Sequence, residues 1–238
     1  MPDLTQKLNN RLLKLLEAAD EKALISQMQY VYLPKGEILF KSGQKLSYAY
    51  FPTSAIISLI VAPYGMSEVE SATISNEGVF GVPLLRDDYL TTRADVQSAG
   101  YCYRIETDLL QESIQRSDAF IEILLNYLQL RTSKMAQMAI CSREHPIEQQ
   151  LCRVLLNILD NSHDSNPNSN MAISIQTLSA KLNVLHEDIS FHLDKLHRLG
   201  VIDLKQGKVI VLNRSFLQGR ACACYQIIAN ETARLSPG

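Results

Sequence analysis

The sequence predicts an α+β chain: an antiparallel β-roll, then a long helix, then a winged helix-turn-helix. Three observations predict it. Six of the ten glycines lie in residues 36–100 and eight of the ten tyrosines in residues 30–103, which mixes turn formers with aromatic strand formers. From Ile121 to Met138, residues that are apolar except for Arg131 recur at alternating steps of three and four, the period of a helix with an a/d-like seam. Two short helical periods then meet at Asn183 and are followed by two β-forming runs around Gln206-Gly207.

The elements follow in order. Asp3 is expected to cap a helix carrying Leu8, Leu12, Leu15 and Leu16, and a second short helix starts near Asp20 with Leu24, Ile25 and Met28. Strands are expected at 37–41, 48–52, 55–61, 69–74 and 101–105, among roughly eight between about residues 30 and 107. Ser117 or Asp118 caps the long helix, with Ile121, Leu124, Leu128, Arg131, Met135 and Met138 along its seam and Leu125 and Thr132 beside it. Such a helix packs on the β domain as a core helix or pairs with a second copy as a parallel coiled coil. Its apolar face is wide enough for both. The residue before a proline disfavours helix, so this helix ends before Pro146, which then opens the next one over 147–159. Residues 161–170 hold no apolar side chain and read as a solvated loop that exposes His163.

Beyond the loop, Ser174 caps a short helix with Leu178 and Leu182 inward. Asn183 tolerates the left-handed backbone of a tight turn. Val184 begins the second period, with Ile189, Leu193 and Leu196 inward, and Gly200 stops it. The run 201–211 makes a β-hairpin wing. Helix-turn-helix with a wing points to double-stranded DNA; a protein-interaction winged helix is the other reading. The outer face of the second helix carries Glu187, Ser190, Phe191, Asp194 and Arg198, with His186 in its first turn. Glu187 could accept from a cytosine amino group and Ser190 could reach a base or a phosphate. Phe191 either meets a thymine methyl or packs on the wing. His192 and His197 read as packing or surface residues, because their spacing from His186 makes no metal pair. Residues 186–194 carry three acids and no Lys or Arg. Residues 195–220 carry Lys195, Arg198, Lys205, Lys208, Arg214 and Arg220 against Asp203. Attraction for phosphates must therefore come from the far end of the helix and the wing.

Length and charge bound the remaining classes. The 238 residues suit one large or two small domains. A net charge of −2 excludes a highly basic chromatin-type protein and a polyacidic tail, but not a local basic patch. No apolar run approaches the ~18 residues of a membrane span, and the N-terminus lacks a signal-peptide core. Five scattered cysteines argue against a secreted disulfide framework and for a reducing cytoplasm. The absence of a P-loop, a nucleophile elbow and a metal-spaced histidine pair argues against an enzyme.

With these motifs in place, the chain resembles the Crp/Fnr superfamily of bacterial transcription regulators. The resemblance rests on the run Leu33-Pro34-Lys35-Gly36-Glu37-Ile38-Leu39-Phe40 with Gly43, on Pro146-Ile147-Glu148-Gln149-Gln150-Leu151-Cys152-Arg153, and on the winged helix. Ala221-Cys222-Ala223-Cys224-Tyr225 is similar to the tail of one branch. The resemblance implies a cyclic-nucleotide-binding-like β-roll effector domain at 1–115, a dimerisation helix at 116–144 and a DNA-binding domain at 145–238. It implies a parallel homodimer joined through Ile121, Leu124, Leu128, Met135 and Met138. It implies DNA contact through His186, Glu187, Ser190, Phe191, Asp194, Lys195, Arg198, Lys205 and Lys208, and RNA polymerase as a further partner.

The departures concern the effector. Cyclic-nucleotide-binding members hold ribose with a Gly-Glu pair and phosphate with an Arg about ten residues on. Here those places read Gly81-Val82 and Thr92-Arg93, so the carboxylate is missing and the Arg is displaced by one, onto the other face of its strand. No cyclic nucleotide is expected, and the effector is left open. Gly78, Gly81, Val82, Thr92 and Arg93 are the candidate effector contacts. The turn Gly78-Val79-Phe80-Gly81 is either an anion-holding nest or a simple β-turn. No cofactor and no metal is expected, because Cys222-x-Cys224 supplies only two ligands; it reads as buried packing or as a thiol switch. The leading function is a dimeric, sequence-specific regulator of transcription. The alternative is a small-molecule sensor that has lost DNA binding and acts through protein partners.

Overall fold

Asn10 sets the first helix. Its Oδ1 accepts from the N–H groups of Leu12 and Leu13 at 3.0 and 3.2 Å, and its Nδ2 donates to the carbonyls of Pro52 and Gly78, both at 2.8 Å. A buried amide with four partners both caps the helix and ties it to the sheet. The computed structural model describes residues 9–19, 21–61, 68–82, 92–160, 173–182 and 184–233. The expected cap Asp3, with Leu8, lies outside these residues, as do Asp20, His163 with its loop, and Asn183. Helix α1 therefore runs over Arg11–Ala18, and α2 over Lys22–Ser26.

The described residues divide into two compact units, one reaching Arg131 and taking up the chain again at Thr232, the other spanning Thr132–Glu231. In the first unit, seven strands are described: β1 (Gln29–Leu33), β2 (Ile38–Phe40), β3 (Tyr48–Pro52), β4 (Ile56–Val61), β5 (Val69–Ile74), β6 (Arg93–Ser98) and β7 (Gly100–Glu106). They form two antiparallel sheets, in the orders β1-β7-β3 and β2-β6-β4-β5. Alternation along β3 sends Ala49 and Phe51 to one side and Tyr50 to the other. Tyr50 joins Phe40, Ile57, Leu59, Phe80 and Val96 in filling the roll. Phe51 packs with Leu12, Leu13 and Leu16 of α1, with Leu110 of α3 (Thr107–Arg116), and with Phe120, Leu124 and Tyr127 of α4 (Asp118–Glu144).

Of the two expected caps for α4, Ser117 is the one used: its Oγ accepts from Phe120 N–H at 3.1 Å. The wide apolar face then divides. Phe120, Leu124, Tyr127 and Leu130 are buried against the roll. Ile121, Leu125, Met135 and Met138 stay exposed. This corrects one seam position: Leu124 is 2% exposed and belongs to the core, whereas its neighbour Leu125 is 59% exposed. One step along a helix turns a side chain by about 100°, enough to exchange inner for outer face.

The second unit holds α5 (Ile147–Asp160), β8 (Ile173–Ser174), α6 (Ile175–Leu182), α7 (His186–Arg198), β9 (Ile202–Lys205), β10 (Lys208–Val211), α8 (Arg214–Arg220) and α9 (Cys224–Ala233). Leu151, Leu155 and Leu156 of α5 pack with Leu178, Ile189, Leu193, Leu196, Val209 and Leu217 in one core.

Candidate nucleic-acid interface

Local signals build the helix-turn-helix as its sequence directs. Ser174 Oγ accepts from Thr177 N–H at 3.0 Å and so caps α6. Helix α7 ends in a Schellman motif: Gly200 N–H donates to the His197 carbonyl at 2.9 Å and Val201 N–H to that of Leu196 at 3.0 Å, with Gly200 at φ +67°. The inward residues Ile189, Leu193 and Leu196 are fully buried. Strands β9 and β10 pair around Gln206 and Gly207, whose φ values of 51° and 72° are those of a two-residue type I′ turn. Strand β8 pairs with β10 and adds a third strand to the wing that periodicity did not show.

The outer face of α7 is left to solvent. Phe191 is 70% exposed, so the packing of its ring on the wing does not occur. It stands edge-on to His192 at 5.3 Å. With Asp194, Lys195, Arg198 and Leu199 it lines an open depression of about 290 Å³. Glu187 and Asp188 lie in the first turn, where the helix dipole favours acids. Ser190 Oγ donates back to the His186 carbonyl at 2.8 Å, one turn earlier. His197 Nδ1 lies 3.1 Å from the Ile202 carbonyl oxygen, which is a packing role.

The basic strip is more neutralised than the sequence count suggests. Lys195 and Arg220 both reach Glu148 of α5, at 2.6 and 3.4 Å. Lys205 reaches Asp203 at 2.8 Å, and Arg214 reaches Asp160 at 2.5 Å. The hydrogen bond from Lys195 holds the Glu148 carboxyl below its usual range, and that from Lys205 does the same for Asp203. Arg198 and Lys208 form no ion pair among the described residues. The partners Glu148 and Asp160 lie 47 and 54 residues before Lys195 and Arg214, so no local count of charge could find them.

The candidate effector residues are occupied differently. Gly78 N–H donates to the Ser75 carbonyl, Val79 N–H to the Tyr127 hydroxyl, and Phe80 N–H to the Tyr50 carbonyl. These amides are spent within the fold, so the run is not an anion nest; nor is it the β-turn itself, which closes over residues 75–78, because Phe80 bridges to Tyr50 of β3. Gly78 is glycine because a Cβ there would collide with the Tyr127 hydroxyl. Gly81 has φ +85°, and a Cβ there would lie 2.8 Å from the Tyr48 carbonyl oxygen. Val82 packs on the core beside α1, and Thr92 lies in the bend before β6. Arg93 forms a fork with Glu68 at 2.5 and 2.9 Å and bonds Asp95 through Nε at 2.9 Å. These two carboxylates raise its pKa. It lies on the face of β6 opposite Ala94 and Val96, which point into the roll.

The second unit also brings Cys141 and His145 to Cys222 and Cys224, four residues of metal-ligating type. The Cys-x-Cys pair, half a site in sequence, thus meets two further donors. No signal in the sequence joined Cys141 and His145 to the tail, because 81 residues separate Cys141 from Cys222.

No family model matches the chain, and no curated protein matches its sequence. Solved structures do match its fold. FixK2 from Bradyrhizobium japonicum superposes with a TM-score of 0.69 at 14% identity, covering 82% of this chain and 98% of that one. TTHB099, a CRP-family transcriptional regulator from Thermus thermophilus, gives 0.65 at 14% identity over 80% and 96%. The c-di-GMP-responsive global regulator CLP from Xanthomonas campestris gives 0.62 at 16% identity over 82% and 98%. The chain thus has the Crp/Fnr-type fold from roll to winged helix. Among the described residues, no helix is long and apolar enough to cross a membrane.

Proposed function

We propose that the chain is a non-enzymatic, DNA-binding transcription regulator that works as a homodimer in the cytoplasm. The observation that carries this reading is the outer face of α7. Its inner residues are sealed in the core, while Phe191, Asp194 and Arg198 are left exposed beside the wing. An aromatic side chain that costs hydrophobic free energy in water is well placed to cover a thymine methyl in a major groove. Glu187 and Ser190 would read base edges, and Arg198 and Lys208 would hold phosphates. Lys195 and Lys205 would contribute less, because each must first leave a carboxylate. The exposed stripe Ile121, Leu125, Met135 and Met138 would join two copies. Two α7 helices would then meet half-sites one helical turn apart, about 34 Å. RNA polymerase would be a further partner of the bound dimer.

The roll would carry any control. Arg93, held by Glu68 and Asp95, would not serve a phosphate, so a cyclic nucleotide should leave the thermal midpoint unchanged. The acidic first turn of α7 favours a second reading, in which this face docks on a basic protein surface instead of DNA.

Selection from a random duplex library, followed by titration at several salt concentrations, separates the two. A regulator enriches a sequence and loses affinity with a slope near −0.9 per phosphate neutralised. Arg198→Ala with Lys208→Ala should flatten that slope by about two. Absence of any DNA complex at low ionic strength would overturn the proposal.

A further inference from the structure

Cys141 and His145 lie one helical turn apart at the end of α4, and Cys222 and Cys224 flank the step from α8 to α9. Their ligand atoms all lie within 4.8 Å of one another, with Cys141 Sγ 3.5 Å from Cys222 Sγ and Cys224 Sγ 3.5 Å from His145 Nδ1. We propose that these four side chains bind a single thiophilic divalent cation, Zn²⁺ in the first instance, as a tetrahedral Cys3His site. A Zn–S bond of about 2.3 Å and a Zn–N bond of about 2.0 Å place neighbouring donors about 3.4–3.8 Å apart. The observed separations need only small side-chain rotations to reach that geometry. A multi-iron cluster spreads its terminal thiolates wider than one ion does, so the tight grouping favours a single ion.

The surroundings match a bound ion rather than four packing residues. Three thiolates around a divalent cation leave one negative charge. Arg153 supplies the opposite charge: it is only 3% exposed, it bonds Cys141, and its Nε has no partner among the described residues. A buried guanidinium with an open donor is costly in an apolar pocket and favourable beside a thiolate site. Gln137 Nε2 donates to Cys224 Sγ at 3.0 Å, and Gln150 Nε2 donates to the His145 carbonyl at 2.8 Å. Such outer contacts orient ligands and stabilise thiolate charge. Buried packing of small apolar thiols explains neither His145 nor Arg153 nor these two amides. A disulfide between Cys141 and Cys222 would need the sulfurs to close to about 2.05 Å and would leave Cys224 and His145 without a role. The ion would fasten the end of α4 to the α8–α9 step, and so would stabilise the second unit whatever its outer face binds.

The test uses the full chain, purified under reducing conditions without chelator. Elemental analysis should find about one zinc per chain. Cys222→Ser and Cys224→Ser should lose it, while Cys102→Ser, in the roll, should keep it. Because these variants can fail to fold, the wild-type chain supplies a second readout. After chelation, added Co²⁺ should give the thiolate-to-cobalt charge-transfer band and intense tetrahedral d–d bands, saturating at one equivalent and bleached by Zn²⁺. Chelation should also lower the thermal midpoint, since an ion held by the native state stabilises it. Wild-type protein that carries no metal and gives no such cobalt spectrum would overturn the proposal. So would acid-labile sulfide with bound iron, or a Cys141–Cys222 disulfide in protein that takes up no metal when reduced.

Discussion

Arg93 in the roll and Arg198 in the winged unit carry the same guanidinium in opposite surroundings. Arg93 is claimed by Glu68 and Asp95 on the outside of its sheet. Arg198 stands at the rim of an open depression and pairs with no described acid. The contrast extends to their neighbours. The amides of Gly78, Val79 and Phe80 in the roll are consumed by Ser75, Tyr127 and Tyr50, and its interior is filled by Phe40, Tyr50 and Phe80. In the winged unit Phe191 remains exposed, and Arg153 Nε has no partner among the described residues. A group already satisfied within the fold has little left to offer a ligand; a group that the fold leaves unsatisfied is where binding has something to gain.

Two adjacent leucines of α4 should differ most. Leu124→Ala should destabilise the roll by about 2–5 kcal/mol, because it opens a cavity in a sealed core. Leu125→Asp should leave the roll's thermal midpoint nearly unchanged and convert dimers to monomers in sedimentation. If both substitutions act alike on stability, the division of α4 into inner and outer faces fails.

A second pair sets the turn against the outer face of α7. Gly78→Ala should cost about 1–3 kcal/mol in chemical denaturation through the clash with Tyr127. Phe191→Ala should cost less than about 0.5 kcal/mol of stability but about 1–3 kcal/mol of discrimination at one base position. A stability loss at Phe191 equal to that at Gly78 would show that the exposed ring is structural.

The smallest effect concerns Glu148, which restrains Lys195 and Arg220. Glu148→Gln should release both cations, steepen the salt dependence of DNA binding, and cost at most about 1 kcal/mol of stability. The sign of its pH dependence follows from its lowered pKa. The folded carboxylate is favoured, so its contribution is complete above the ordinary glutamate range and is lost as pH falls through the lowered folded value. Acid titration of the melting midpoint should therefore show a smaller drop below about pH 4.5 in the variant than in the wild type.

Much of the architecture was legible because the signals are local. The expected strands 48–52 and 69–74 coincide with β3 and β5, and the inward residues of both helices of the helix-turn-helix are buried. The hairpin turn at Gln206-Gly207 was legible for the same reason. Strand β6 was missed because its run Arg-Ala-Asp-Val-Gln-Ser offers only Ala94 and Val96 to the core. Helix α3 was missed because it buries only Thr107 and Leu110 and so shows little apolar face, and β1 because its strand carries an exposed tyrosine, Tyr32.

By itself, then, the sequence determined the order of roll, long helix and winged helix, and the residues on the outer face of α7. Hydrophobic period and turn chemistry act over a few residues and need no partner to be read. The tertiary structure alone decided which side of α4 the roll covers, that Asn10 ties the first helix to Pro52 and Gly78, that Glu148 and Asp160 restrain the basic strip, and that Arg93 is spent on Glu68. It alone brought Cys141 and His145 to the Cys-x-Cys tail. Each of these joins groups tens of residues apart, and such pairs exist only once packing has closed the loops between them.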